Sequence, residues 1–259
     1  MQRKTFVALF FVGIVSVLGT FLVFLPASWL GFLLEKQTMG RVSLGDIQGS
    51  FWRGSAFVGV AVDDKSAVTP LFPGRFSWQI SPLVLLGQVV VVLENKDVMS
   101  APLKVNGNFQ QWQISPASLN LPPERLEGLG APLNTIGPSG RIVLQWGPLA
   151  LSRIDSKLLI NGNMQLALNE MASRASSIKP LGSYHLAFDW RGDSAKLNLS
   201  TTKGPMMLEG TGALQQGRFQ FSGKAYAETG QEEKMANLLN LLGRRRSEGG
   251  KQFIALEYK

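Results

Sequence analysis

No cysteine occurs among the 259 residues, and histidine occurs once, at His185. Disulfide staples, zinc sites built from Cys and His, and thiol catalysis are thereby excluded or nearly so. Charge is scarce as well: Asp, Glu, Lys and Arg make up 17% of the chain, against about 25% in an ordinary soluble domain. The familiar catalytic motifs are missing too, with no His-Glu-x-x-His and no Gly-x-Ser-x-Gly. The expectation is a protein that is not an enzyme and needs no cofactor or metal.

Partial matches do not alter that expectation. Ser176-x-x-Lys179 has the spacing of hydrolases that use a lysine base, but that chemistry wants both residues on one helical face, and Pro180 disfavours helix at Lys179. Gly217 to Lys224 resembles a phosphate loop but has one residue too many between its glycines, no Ser or Thr after the lysine, and strand-like alternation. Asp63-Asp64 would point to opposite faces of a strand rather than converge. His185, between Tyr184 and Leu186 in an alternating segment, reads as a strand histidine. A periplasmic hydrolase is the least supported reading.

What the chain does have begins at its amino terminus. From Thr5 to Leu25 the sequence runs without a charge, and the uncharged stretch continues to Leu34. A helix of 21 residues spans about 31 Å at 1.5 Å per residue, close to the roughly 30 Å hydrocarbon core of a bilayer. The run is longer than the apolar region of a cleaved signal peptide, and Leu25, at position −3 relative to a cleavage at Ala27, is wrong for the small-x-small pattern. Arg3 and Lys4 precede the run, whereas Glu35 and Lys36 cancel after it. The expectation is a single-pass anchor at residues 5–25, with residues 1–4 cytoplasmic and the rest exported. No other segment reaches 18 apolar residues; the next strongest, Leu83 to Leu93, reads as a buried strand. Within the anchor, Ser16 and Thr20 form a small-xxx-small pair.

Beyond the anchor the sequence breaks into short alternating pieces separated by Gly, Pro, Asn and Asp. Ala56 to Val62, Arg75 to Ile80, Gln88 to Leu93, Arg141 to Trp146, Leu158 to Ile160, Tyr184 to Trp190, Lys196 to Ser200, Met206 to Gly210 and Arg218 to Ala225 all read as strands. Asn106-Gly107 and Asn161-Gly162 are the clearest hairpin signals, with Gly192-Asp193 and Gln216-Gly217 beside them. Residues 182 to 226 thus predict a four-stranded antiparallel meander. Gly74-Arg75 leading to Trp78, and Gly140-Arg141 leading to Trp146, suggest internal duplication, with β units at 37–135 and 136–226.

One helix is expected outside the anchor. Thr229 to Glu232 fits a capping box, Leu238, Leu239, Leu241 and Leu242 give an apolar face, and Gly243 suits the residue after the helix. Arg244, Arg245 and Arg246 follow where the helix dipole favours cations. They read first as a solvated loop and second as a contact with an acidic partner or anionic lipid, where each basic group is worth about 1 kcal/mol. Gln252 to Tyr258 reads as a closing strand, so residues 229–259 form a helix and last strand. The fold class is therefore mainly β: a transmembrane helix, then an antiparallel periplasmic domain of two related β units with one amphipathic helix. The net charge of +8 is not gathered into a patch with interleaved aromatics, so nucleic acid is not expected as a partner.

One region is more distinctive. Gly49 and Gly54 bracket Phe51-Trp52, and Phe76-Ser77-Trp78 follows, ending at Pro82-Leu83 and Leu86-Gly87. The glycines suit a bend between strands, and Trp52 and Trp78 would pack on one face. An anchored amino terminus followed by these segments resembles the N component of the type II (general) secretion pathway. The resemblance implies a bitopic, non-catalytic inner-membrane protein of a Gram-negative bacterium, whose periplasmic β domain works with other secretion components to export folded proteins across the outer membrane. It transfers no catalytic, cofactor or metal residue; the candidate interaction residues are Trp52, Trp78, Arg244, Arg245 and Arg246. A second resemblance, carried by Leu208 to Ala213 and Gly217 to Ala225, is to AsmA-type periplasmic proteins. It implies a β groove with a continuously apolar inner face that handles lipid.

Overall fold

The computed structural model describes residues 2–61, 68–130, 133–155, 157–215, 217–243, 245–248 and 251–258, without the side chains of 2–8, 18, 129, 237, 241, 242, 248 and 251. Arg244 and Asp63-Asp64 lie outside the described residues, as does Gln216. Helix α1 runs Gln2–Val23 and helix α2 runs Ser28–Gln37. Counted over the described residues alone, no helix is long and apolar enough to cross a membrane. Apart from Ser16 and Thr20, the described side chains of α1 are apolar or glycine, and the large ones face outward, including Leu9, Phe10, Phe11, Ile14, Val15 and Phe21.

Among the described residues, seventeen strands join one antiparallel sheet. They are β1 Val42–Gly49, β2 Arg53–Val60, β3 Thr69–Pro70, β4 Phe76–Ile80, β5 Gln88–Glu94, β6 Leu103–Asn108, β7 Gln111–Ile114, β8 Ala117–Leu121 and β9 Pro138–Trp146. Then come β10 Leu149–Ile154, β11 Lys157–Ser173, β12 Gly182–Gly192, β13 Ser194–Lys203, β14 Met206–Gln215, β15 Arg218–Ala227, β16 Arg245–Glu248 and β17 Lys251–Tyr258. Pairing follows the chain almost throughout. β1 pairs with β2, β2 with β3 and β4, and β4, β5, β6 and β7 pair in succession. β7 then pairs with β10 and β8 with β9, so two kinked strands lie side by side and meet β11. From β11 to β15 each strand pairs with the next, β15 pairs with β17, and β16 lies outside β17. Among the described residues no pairing joins β1 to β16, so the sheet is open, and the β7–β10 and β8–β9 pairings join the strands before residue 135 to those after residue 136.

Hairpin order explains this regularity. Consecutive antiparallel strands need only short connections, and alternation of apolar with polar residues fixes which side of each strand faces inward. The meander expected over 182 to 226 is present as β12 to β15. Several other expectations are corrected. Asn106-Gly107 lies inside β6 and Asn161-Gly162 inside β11, so neither is a hairpin turn. Gly107 is needed there because a Cβ would clash with the Gln111 carbonyl oxygen, and Gly162 because one would meet the Pro148 oxygen at 2.7 Å. The segment Leu83 to Leu93 is not one buried strand: Pro82–Leu86 forms a 3-10 helix with Leu83, Leu85 and Leu86 exposed, and only then does β5 begin. Pro82 at its start and the Ser81 hydroxyl accepting from the Leu83 N–H favour that turn.

Helices cover parts of one face. In α2, Gly31 lets the backbone approach β1, since a Cβ would sit 2.6 Å from Ile47 Cδ1. Ala27, Ala56 and Trp78 form the core beneath, with Leu30, Leu44, Ile47, Ile80 and Leu93 packed around them. Helix α3, Leu133–Ile136, is a single turn. Helix α4, Glu232–Leu242, buries Met235, Leu238 and Leu239 against Leu181, Met206, Ala225 and Ile254. Its expected capping box is not formed. Gln231 is the residue before the helix and makes no side-chain cap, while Glu232 Oε2 accepts from the Gly230 N–H at 2.8 Å.

Candidate functional site

Cross-strand register places one continuous apolar surface on the sheet. Because partners in an antiparallel pair share a face, the pairs Leu119↔Leu144, Leu144↔Leu166, Leu166↔Leu186 and Leu186↔Leu199 align five leucines across β8, β9, β11, β12 and β13. A neighbouring row joins Ala117, Trp146, Met164, Phe188, Leu197, Gly212, Phe221 and Tyr258. In the other half, Trp78 faces Leu93, Leu93 faces Leu103, and Val105 faces Ile114. The row behind the leucines is polar except at Ala187: Ser118, Gln145, Gln165, Ala187, Asn198, Thr211, Ser222 and Glu257 form it.

The sheet curls toward its apolar side. Strands β12 and β14, with β13 between them, approach within 8 Å at Cα, whereas two flat interstrand steps would separate them by about 9.5 Å. On β13 the apolar Ala195, Leu197 and Leu199 are buried while Lys196 and Asn198 are exposed. Glycines make the bend. A Cβ on Gly210, Gly212 or Gly223 would stand 2.6 Å, 3.1 Å or 2.8 Å from the Phe221 ring, which lies across all three. Where this face meets the β12–β13 and β14–β15 hairpin turns, a cavity of about 500 Å³ is lined by Leu158, Ile160, Trp190 and Leu214 with Lys157 and Asp193. The Trp190 indole N–H and the Tyr184 hydroxyl, both on β12, are buried with no hydrogen-bond partner among the described residues. Burial pushes the Tyr184 hydroxyl pKa well up.

The expected tryptophans sit where the amino-terminal helix meets the sheet. The Trp78 Nε1–H donates to the Phe51 carbonyl at 3.0 Å, and Trp78 is buried on the apolar face over Gly54. Trp52 lies half-buried on the other side of Phe51, ring edge to face at 5.2 Å, and donates to the Leu22 carbonyl at 2.8 Å. The Phe51 N–H donates to the Leu25 carbonyl, and Pro26 bridges to Ser50. Thus the turn between β1 and β2 grips the end of α1. In a parallel contact, the Trp146 Nε1–H donates to the Ser115 carbonyl at 3.1 Å. Nearby, Arg75 donates to Asp46 and Ser55 and lies over the Phe57 ring. Its hydrogen bond holds the Asp46 carboxyl below the usual range.

The arginines are elsewhere. Arg245 and Arg246 belong to β16 rather than a solvated loop. Arg245 donates to Asn240 Oδ1, the Ala236 carbonyl and Gln252 Oε1, and Arg246 pairs with Glu257 at 2.9 Å. The structure therefore brings Trp52 and Trp78 together through Phe51 and sets the arginines at the opposite edge of the sheet. Sequence reasoning missed the aligned leucine face, although the period-two alternation in each strand was its signal. Ser176 and Lys179 do not pair: the Ser176 hydroxyl instead accepts from the Ile178 N–H. Among the described residues no group of His, Asp or Glu is placed to hold a metal.

Comparison with known proteins gives a match of residues 40–253 to the family model described as "Type II secretion system (T2SS), protein N". No curated protein and no solved structure matches the chain.

Proposed function

The chain belongs to the type II secretion system protein N family, and from that premise we propose that it is a non-catalytic inner-membrane component that assists export of folded proteins across the outer membrane. The carrying observation is that the match at residues 40–253 takes in the sheet from the start of β1 into β17. On this reading α1 is a single-pass anchor, with residues 5–25 in the bilayer, the amino terminus cytoplasmic and the sheet periplasmic. The outward apolar side chains of α1 support it, since such a surface is stable only in an apolar solvent. The units at 37–135 and 136–226 and the segment 229–259 are the working division of the exported part. Its partners are other secretion components. Deleting the protein should slow or abolish secretion of a type II substrate, and cross-linking should recover inner-membrane secretion components. Normal secretion with no such cross-links would refute the reading.

A second reading is favoured by one specific observation, the unbroken apolar face with its aligned leucines. It is that the curled sheet holds lipid acyl chains, with Leu158, Ile160, Trp190 and Leu214 lining the cavity that takes them. Native mass spectrometry of gently extracted protein should then find phospholipid bound. Bare protein would count against it.

A further inference from the structure

Antiparallel register allows every loop to be assigned to one of two ends of the sheet. Arg53 at the start of β2 pairs with Gln79 near the end of β4, so the β1–β2 turn and the Pro82–Leu86 helix share an end. Gln88 pairs with Asn108, and Ser152 with Gln111, which brings Phe109 and the β10–β11 turn to the same end. Ile160 pairs with Gly192, Gln215 with Arg218 and Phe221 with Tyr258, completing the row. This is also the end at which Trp52 and Phe51 hold the last turn of α1.

The two ends differ in chemistry. At the α1 end, Leu86 is 80% exposed, Tyr258 62%, Phe109 60%, Ile154 56%, Leu85 55% and Leu158 51%. At the other end, among the described residues, only Met39 and Val68 are large apolar side chains left exposed by loops. That end carries α4 and the α3 turn, which fold over the sheet. Six large apolar tips from four separate segments, brought into one rim by register, are far more than scattered surface hydrophobics require. Folding does not use them, since they bury little. A rim at the end that holds α1 stays close to whatever solvent α1 occupies.

We infer that this rim is a bilayer-contact surface, its tips entering the boundary between headgroups and acyl chains and turning the open end of the apolar face toward the membrane. This rests on the reading of α1 as an anchor. Tips of this kind need reach only about 5–10 Å into the interface, and Tyr258 and Trp52 are of the type that settles at that depth. Attached to a spanning helix, the rim operates at high effective concentration, so even weak insertion fixes the tilt of the sheet.

The chain's freedom from cysteine makes the test direct. Single variants L86C, F109C and L158C at the rim, V68C at the far end and V12C in α1 would be labelled with an environment-sensitive fluorophore in the full chain. The protein would sit in vesicles of phosphatidylethanolamine and phosphatidylglycerol carrying nitroxide lipids, with the nitroxide either near the headgroup or at mid-chain. The expected result is quenching of the three rim labels by the shallow nitroxide, at least about twofold above V68C, with V12C quenched by the mid-chain nitroxide. Rim labels that behave like V68C while V12C is quenched would overturn the rim proposal and leave the anchor intact. An unquenched V12C would overturn both. Leu86 is 80% exposed, so L86C removes little buried packing.

Discussion

The indole of Trp52 donates its N–H to the carbonyl of Leu22 at 2.8 Å, thirty residues back along the chain. That carbonyl lies in the last turn of α1, where no intrahelical donor remains to meet it. The contact therefore joins an unsatisfied helix terminus to the sheet. Replacing Trp52 with Phe keeps a ring against Phe51 and removes only the donor, at about 1 kcal/mol. The global melting temperature should barely move, because the junction can open without unfolding the sheet. Hydrogen exchange at the Phe51 and Ala27 amides should rise several-fold; unchanged exchange would show that the bond does not fix the helix.

Below Phe51 the constraint is steric. A methyl group on Gly54 would lie 2.5 Å from Trp78 Cζ2 and 2.6 Å from the Gln48 carbonyl oxygen. Gly54→Ala should destabilise the protein by about 1–3 kcal/mol. Trp78→Leu leaves a cavity and carries its own penalty, but it removes one of the two clashes. Chemical denaturation of the double variant should therefore show a smaller loss than the sum of the singles. Strict additivity would mean that the Gln48 carbonyl alone sets the penalty at Gly54.

How far the sequence disclosed this arrangement depends on the scale of the signal. Alternation over five or six residues is local, and β4, β5, β9 and β12 to β15 were legible from it. The Asn-Gly pairs in β6 and β11 misled because the same residues that suit a type I′ turn also tolerate close backbone approach, which is what Gly107 and Gly162 supply. Helix α2 was hidden because its residues continue the uncharged run of α1, and periodicity cannot divide one apolar stretch into two helices. The leucine alignment was out of reach for a different reason. Each leucine was visible in its own strand, but facing partners depend on register across kinked strands, and register is a tertiary property. Trp52 and Trp78 were singled out from their sequence context; what joins them is Phe51 and the end of α1.

At the opposite edge, Met235 is fully buried among Leu181, Met206, Ala225 and Ile254. Met235→Ala should cost about 2–5 kcal/mol, whereas Met235→Leu conserves volume and should cost under about 1.5 kcal/mol. Equilibrium denaturation measures both. Equal losses for the two would place α4 outside the cooperative core.

Tyr184 offers a prediction of the opposite sign. Its hydroxyl is buried without a partner among the described residues, and burial raises its pKa. A buried donor with no acceptor loses its hydration and gains nothing in exchange, so Tyr184→Phe should leave stability unchanged or raise it by up to about 1 kcal/mol. A loss larger than that, measured by denaturant titration, would reveal an acceptor for the hydroxyl.

Asp46 ties stability to pH. Its hydrogen bond from Arg75, with a smaller contribution from Gln48, lowers its pKa in the folded protein below the ordinary 3.8. In the acid range the unfolded chain therefore binds more protons at this site than the folded one, and stability rises with pH there. The contribution is complete above the unfolded-state value and disappears as pH falls through the lower folded-state value. Asp46→Asn removes the titration while Asn still tolerates the positive φ of 46° at this position. The difference in unfolding free energy between the parent protein and Asp46→Asn should then be flat from about pH 5 to 8 and shrink below about pH 4. The carboxylate is exposed, so added salt should reduce the difference. A gap that stays constant into the acid range would show that Arg75 recognises the backbone carbonyl of residue 46 and not its charge.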